Sequence, residues 1–313
     1  MDKNSKILIT GASGMVGQSL VCKMKNSGFS NLLLPSSREL DLLHQQSVNE
    51  YFKQNDFECI IHLAGTIGGI GDSISRPVEF MYDNLSMGMN IIKAASENGI
   101  QRLMSLGSSC VYPLRSKQPM KEEYLLTGPF EPTNEGYSIA KISGIKLCEM
   151  MNKQYDLDYF CLMPPNLFGP NDNFDPKSSH VMSGLLRKFH EAKTDNSEFV
   201  DVWGSGQSER EFLFVDDLSE AIIYFMELYD VSKLGTFINV GSNEAISIHD
   251  LSFLIKKITG YNGQIRFNPD MPDGMPKKLM DSSIANSCGW TNSTSLLSGI
   301  NLTYEWYKNA ELA

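Results

Sequence analysis

Three stretches of this 313-residue chain hold residue types at spacings that could do chemistry. In "NEGYSIAKISG", Tyr137 and Lys141 are four apart, so on a helix they share one face. An ammonium beside a phenol favours the phenolate and lowers the tyrosine pKa. Such a phenol can protonate an oxygen as hydride reaches the carbonyl carbon. Y-x-x-x-K is common on helices, and it gains force here from its company. In "GSSCVYP", Ser108, Ser109 and Cys110 follow an apolar run, "RLMSL", that reads as a buried strand. A serine hydroxyl there would orient the carbonyl oxygen that Tyr137 protonates. Cys110, two residues along an extended chain, would face the same side.

The third stretch is "TGASGMVGQSL", with Gly11, Gly14 and Gly17 directly after the first strand candidate and opening a helix. Glycine permits the tight turn and lets backbone N–H groups approach a pyrophosphate, whose charge the helix N-terminus favours. That context reads as dinucleotide binding, and a purely structural turn is the alternative. NAD sites generally carry an Asp or Glu at the end of the second strand for the ribose 2′-hydroxyl. Here that strand runs into Pro35-Ser36-Ser37-Arg38, and no carboxylate precedes Glu39. Small hydroxyls and a guanidinium suit a 2′-phosphate, which favours NADP(H). The alternative makes Arg38 a solvated surface charge.

These residues need a scaffold that brings strand ends together. The first half alternates short apolar runs ("KILIT", "NLLLP", "CIIHLA", "RLMSLGSS", "YFCLMPP") with helical patterns over 17–27, 86–98 and 137–154. Strands alternating with helices predict an α/β protein with a doubly wound parallel sheet, covered on both faces. Such sheets bind ligands beyond the carboxyl ends of their strands. After Pro165 the texture changes. "NLFGPNDNFDPKSSH" reads as a long irregular loop, and 181–192 reads as a helix. "FVDVWG" reads as a strand, "GSGQSERE" as a polar linker, and "TFINVGS" as one more strand of the main sheet. The expected division is 1–165 plus about 212–243 for the dinucleotide-binding domain. Residues of about 166–211 plus 244–313 would form a smaller substrate domain.

Composition bounds the rest. The chain is 42% hydrophobic and 20% charged, the balance of an ordinary globular protein. A net charge of −10 argues against generic binding to nucleic acid or anionic membranes. No apolar run reaches the roughly 18 residues of a membrane span. The first strand candidate starts too near Met1 to leave room for a signal peptide, so the expected location is cytoplasmic. Cys22, Cys59, Cys110, Cys148, Cys161 and Cys288 lack C-x-x-C or paired-histidine spacing. They are expected as thiols, five of them packing as small hydrophobes, with no metal site. His62, inside "IIHLAG", reads as structural or cofactor-adjacent.

The glycine loop, the serine-bearing strand end and Y-x-x-x-K together resemble the extended short-chain dehydrogenase/reductase family, whose fold is a Rossmann-type sheet with a smaller C-terminal domain. "GSSCVYP", "EPTNEGYSIAKISGIKLCE", "NLFGPNDNF", "SSHV", "VWGSG", "REFLFVDD" and "PDGMPKKLMD" resemble the branch acting on GDP-4-keto-6-deoxy sugars. That resemblance implies an NADPH-dependent enzyme that epimerises C3 and C5 of a GDP-4-keto-6-deoxymannose and then reduces C4. It implies Ser108, Tyr137 and Lys141 as the reductase set, and Cys110 with His180 as the epimerisation pair, thiolate as base and imidazole as acid. A C4 ketone acidifies the hydrogens on C3 and C5, which gives the pair its task. The resemblance further sets the cofactor against Gly11, Ser13, Gly14, Met15, Val16, Gly17, Arg38, Leu63, Ala64, Lys141, Pro164, Asn166, Leu167 and His180. It sets the substrate against Ser109, Asn166, Lys188, Trp203, Arg210 and Asp273, and it implies a homodimer through the helix bearing Tyr137. Relatives with these motifs also reduce GDP-4-keto-6-deoxyheptoses, some without epimerising. An NAD-retaining nucleotide-sugar 4-epimerase or dehydratase is the second alternative. A non-catalytic dinucleotide sensor is disfavoured by the presence of both Tyr137 and Lys141.

Overall fold

The computed structural model describes residues 2–271 and 273–311. The chain runs through β1 (Ile7–Thr10), α1 (Met15–Asn26), β2 (Leu32–Leu33), α2 (Gln45–Gln54), β3 (Cys59–His62), α3 (Ile70–Ser75) and α4 (Pro77–Glu97). It continues through β4 (Arg102–Leu106), α5 (Glu135–Tyr155) and β5 (Asp158–Met163). These strands, with β9 below, form a parallel six-stranded sheet ordered β2-β1-β3-β4-β5-β9. The order reverses between β1 and β3, the switch point where such sheets open a crevice for ligands. The expected doubly wound sheet is present.

Alternation within β1 explains the two covering layers. Ile7 and Ile9 pack beneath the sheet with Leu20 and Met24 of α1, while Leu8 packs on the other face with Val48, Ile91, Ile92 and Ile142 from α2, α4 and α5. Both faces are buried, so the strand reads as continuously apolar. α4 starts well before the helix expected over 86–98. Pro77 opens it, where the missing N–H costs nothing.

At Pro164-Pro165 the chain leaves the large sheet. It then forms β6 (Asn166–Phe168), α6 (Val181–Thr194), β7 (Phe199–Trp203), β8 (Glu209–Phe214), α7 (Val215–Leu228), α8 (Val231–Leu234) and β9 (Phe237–Asn239). After β9 come β10 (Ala245–Ser247), α9 (Ile248–Thr259), β11 (Gln264–Asn268), β12 (Lys277–Lys278), α10 (Ser283–Ser287) and α11 (Leu296–Glu311). β8 is the hub of a small sheet, pairing with β6, β10 and β12. Glu209 and Arg210, expected in a polar linker, therefore belong to a strand whose partners are remote in sequence. A separate core of Phe168, Leu186, Phe189, Val202, Phe212, Leu251 and Tyr304 fills this unit. α7 packs on α1 beneath the large sheet, and so do Ala285 and Trp290.

The two units are stitched near the cleft. Met120 N–H donates to Leu279 O (2.8 Å) and Asp281 N–H to Met120 O (2.8 Å). Buried Asn239 donates to the carbonyls of Met120 and Asp281 and accepts from Tyr112 Oη at 2.6 Å. Buried Glu211 accepts from the backbone N–H groups of Met280 and Asn243, both at 2.8 Å. Among the described residues no helix is long and apolar enough to cross a membrane, and no cluster of three metal-ligating side chains occurs.

Candidate active site

Gly11 follows β1 in the left-handed region (φ +73°), where a Cβ would lie 2.7 Å from the backbone nitrogen of Ala64. Gly14 N–H donates to Gly11 O at 3.2 Å and closes the turn. Extended Gly14 then caps α1, whose first turn carries no acidic side chain. At Gly17 a Cβ would stand 2.3 Å from Gly11 O, so helix and loop touch backbone to backbone. The first N–H groups of a helix have no partner within it, and at this close-packed turn they suit a pyrophosphate. Gly11, Ser13, Gly14, Met15, Val16 and Gly17 line a cleft of about 660 Å³, together with Leu63, Ala64, Pro164, Asn166 and Leu167. The residues present fit a dinucleotide. Arg38 lies exposed after β2, outside that lining, while Glu39 folds back to accept from Ser36 N–H and Oγ, both at 2.8 Å. The variant Gly17→Ala should lose about 1–3 kcal/mol of stability from overpacking and show weakened NADPH binding. Thermal melts with and without NADPH check this, and an unchanged melt would refute the contact.

At the end of β4, Gly107 lies so close to β5 that a Cβ would stand 2.1 Å from Met163 Sδ. Ser108 is extended, but Ser109–Val111 forms one tight 3₁₀ turn, with Cys110 N–H donating to Ser108 Oγ at 3.2 Å. Ser108 and Cys110 are therefore not neighbours on an extended strand; the turn is what brings both to the cleft. Buried Ser109 donates its N–H to Pro164 O at 3.0 Å. Ser138 of α5 donates its hydroxyl to Cys110 O at 2.8 Å and fixes the helix against the turn.

Tyr137 and Lys141 line the same cleft, and Lys141 Nζ lies 5.7 Å from the tyrosine ring centroid. Nζ donates to Leu106 O at 2.9 Å. Burial brings the Lys141 pKa down to about 8. Burial pushes Tyr137 up, the charge of Cys110 adds to this, and a hydrogen bond with Ser108 opposes both. The expectation of a lowered phenol is thus corrected: Lys141 is held on a carbonyl, and desolvation wins. A phenol that keeps its proton is the state required of a donor. His62 is neutral, its pKa lowered to about 3 by burial and by Lys141, with Nδ1 2.7 Å from Thr10 Oγ1. A cavity of about 20 Å³ lies beside it, lined also by Asn84 and Lys141.

Cys110, His180, Asn166 and Arg210 meet Ser108, Tyr137 and Lys141 in the one cleft. His180 immediately precedes α6, on a loop tied by Asp175 Oδ1 accepting from Lys177 N–H (2.8 Å) and Ser178 N–H (3.1 Å). Burial lowers the His180 pKa, as does the ammonium of Lys278. For Cys110 burial pushes the thiol up, but Lys278 and hydrogen bonds from Ser108 and Lys278 bring it below its ordinary value. Lys278 Nζ donates to Cys110 Sγ at 3.1 Å. Lys278 and Glu131, both of which line the cleft, lie in sequence blocks that carry the resemblance, and neither had been assigned a role. The sequence carries no local signal for Lys278, whose register opposite Arg210 across β8 and β12 comes from the fold.

The remaining residues are less central. Asn166 Nδ2 donates to Glu211 O at 2.9 Å. The Arg210 guanidinium is spread over the carbonyls of Glu209 (2.8 Å), Asp273 (2.8 Å) and Met275 (2.5 Å). Lys188, Trp203 and Asp273 lie outside the cleft lining. Lys188 Nζ donates to Asp201 O at 3.0 Å and sits 5.6 Å from the Trp203 ring centroid, leaving that ring half-exposed. Asp273 Oδ1 accepts from Ser205 N–H at 2.8 Å. Of the other cysteines Cys59, Cys148 and Cys161 are buried as expected, whereas Cys22 is exposed and Cys288 partly so.

Comparison with known proteins gives a consistent result. The profile described as the NAD dependent epimerase/dehydratase family matches residues 7–241. Over 306 residues the chain is 44% identical to GDP-L-fucose synthase 1 of Arabidopsis thaliana, covering 98% of this chain and 94% of that one. Among solved structures, a GDP-6-OMe-4-keto-L-xylo-heptose reductase from Campylobacter jejuni superposes with a TM-score of 0.95 at 35% identity, covering 99% of each chain. MlghC, a GDP-mannoheptose C4 reductase from Campylobacter jejuni with NADP bound, gives 0.89 at 36% identity over 98% of this chain and 99% of its own.

Proposed function

Because this chain belongs to the NAD dependent epimerase/dehydratase family, we propose that its cleft inverts C3 and C5 of a GDP-linked 4-keto-6-deoxy sugar and then reduces C4. The observation that carries this reading is the meeting of Cys110 and His180 with Ser108, Tyr137 and Lys141 in one cleft. NADPH, held by Gly11, Gly14, Gly17 and the start of α1, supplies the hydride when bound. The chain's own residues do the rest.

Ser108 Oγ and the Tyr137 phenol take the C4 oxygen as donors, which polarises the ketone and acidifies the hydrogens on C3 and C5. The Cys110 thiolate removes one of them, forming S–H as the C–H electron pair moves into an enolate. Imidazolium at His180, having taken a proton from solvent, returns one to carbon from the other side. Once inversion is complete, Tyr137 delivers its phenolic proton to the C4 oxygen as the alcohol forms. Lys141 beside the ring favours the phenolate left behind. Arg210 and the Lys188–Trp203 pair lie along the smaller unit, where a diphosphate and a flat base would be met by a cation and an aromatic face.

A second reading keeps the C4 reduction and changes the sugar to a heptose. It is favoured by the likeness to two heptose reductases. The two are separated by following NADPH absorbance against GDP-4-keto-6-deoxymannose and against the corresponding heptose, with product NMR in deuterated water. The expected result is NADPH oxidation with at least one sugar, and deuterium at C3 and C5 of the product. Reduction without deuterium would leave a simple C4 reductase. No oxidation with either sugar, together with copurified NAD, would replace the proposal with a cofactor-recycling 4-epimerase or dehydratase.

A further inference from the structure

The charged and titratable groups around Cys110 come from several elements, with Lys141 and Asp172 also in the cleft lining. β12 brings Lys278, with Nζ 3.1 Å from Sγ. β8 brings Arg210, the loop before α5 brings Glu131, α5 brings Tyr137, and the residue before α6 is His180. The Arg210 guanidinium donates to three backbone carbonyls, and its charge also bears on Cys110, whereas Lys278 is hydrogen-bonded to the sulfur itself. Glu131 is held by Asn134 Nδ2 at 3.0 Å and by Thr133 Oγ1, and its charge opposes loss of the thiol proton. Lys278 is therefore the cation that touches the sulfur. The same ammonium disfavours a proton on His180. One charge thus acts on the two partners in opposite senses, favouring loss of the thiol proton and disfavouring a proton on the imidazole.

We propose that Lys278 is a positioning residue for inversion, holding Cys110 as the thiolate before substrate arrives and leaving His180 neutral until it draws a proton from solvent. The inference deepens the function proposed above and rests on Cys110 being the base. Lys278 undergoes no covalent change: the sugar C–H breaks, S–H forms, the electron pair stays on the enolate, and the ammonium loses its thiolate partner. Losing that partner favours the return of the proton to solvent, so the pair resets without help from a further reagent. The lysine reaches the sulfur only through the two-residue strand β12, clamped on β8 opposite Glu209 and Arg210.

The test reads the thiol directly, in the full chain and without substrate. Iodoacetamide labelling of Cys110 is followed from pH 5 to 10 by peptide-resolved mass spectrometry, which separates it from exposed Cys22 and partly exposed Cys288. Wild type should label with a midpoint below the ordinary value of about 8.5. In Lys278→Met the midpoint should rise by about 1–3 pH units, because the nearby positive charge is gone. Lys278→Arg should keep it low, and Glu131→Gln should lower it further, an arm that stands even if the Met variant fails to fold. Deuterium entry at C3 and C5 at pH 7 should fall about tenfold or more in Lys278→Met, as the thiolate fraction at that pH drops, and recover with Arg. An unmoved midpoint in a folded Lys278→Met protein, or in Glu131→Gln, would overturn the proposal. A shifted midpoint with undiminished exchange in Cys110→Ser would keep the ion pair but overturn the reading of Cys110 as the base, and with it the role of Lys278.

Discussion

Replacing Tyr137 by Phe should slow NADPH oxidation with a GDP-4-keto-6-deoxy sugar by about 10²–10⁴-fold, the usual contribution of a positioned proton donor. The variant keeps the ring that lies 6.4 Å from Phe80 and 5.7 Å from Lys141 Nζ, so the packing of α5 is little disturbed. The loss should appear in kcat and in kcat/KM alike, as for an interaction made in the transition state. A pH arm sharpens the expectation. Lys141, brought down to about 8 by burial, carries its charge below that pH and loses it above. Support for a forming phenolate is thus present below pH 8, and the wild-type reduction rate should fall as pH rises through that value. Stopped-flow absorbance at 340 nm checks both statements. A Phe variant within a few-fold of wild type would remove Tyr137 from the proposed chemistry.

Cys110→Ser should separate the two reactions in the opposite sense. A serine hydroxyl beside Lys278 fills nearly the same space but holds its proton far more tightly than a thiol, so it makes a poor base. Deuterium entry at C3 and C5 should fall about 10²–10⁴-fold. Reduction of a ketone supplied already inverted should fall much less, since Ser108, Tyr137 and Lys141 are untouched. The measurement is NMR of sugar incubated with the variant in deuterated water, first without NADPH and then with it. If exchange continues at the wild-type rate, another group removes those protons.

What the sequence disclosed about this site follows from how local each signal is. Gly11, Gly14 and Gly17 span one turn, and Tyr137 and Lys141 one helical face. Both were legible because backbone geometry alone relates their members. The unbroken apolar run Ile7-Leu8-Ile9 announced a strand buried on both sides. Tight turns are less legible. "SSC" after an apolar run suggested a continuing strand, whereas the backbone turns at Ser109 because Ser108 Oγ accepts from Cys110 N–H. The start of α4 was legible at Pro77, a residue favoured in a first helical turn, but the apolar pattern drew attention further along. Tyr137 was misjudged electrostatically, because spacing reports the distance to Lys141 but not the burial of both. His180 entered through family resemblance, and nothing in its local pattern links it to Cys110. Lys278 is 168 residues from the sulfur it touches, on a two-residue strand with no periodicity to read.

The stitching of the two units has a bearing on how such an enzyme can change over generations. Ser108, Tyr137 and Lys141 all precede Pro164 and stand on the large sheet and its helices, so the hydride chemistry proposed for them belongs to one continuous piece of chain. Inversion is different. As proposed, it depends on a cysteine from that piece and on two residues beyond Pro164: a histidine at the head of α6, and a lysine on a short strand held beside Glu211 and the Met120–Leu279 hydrogen bond. A lineage could shed inversion by altering a single position in the smaller unit while its reductase stayed whole.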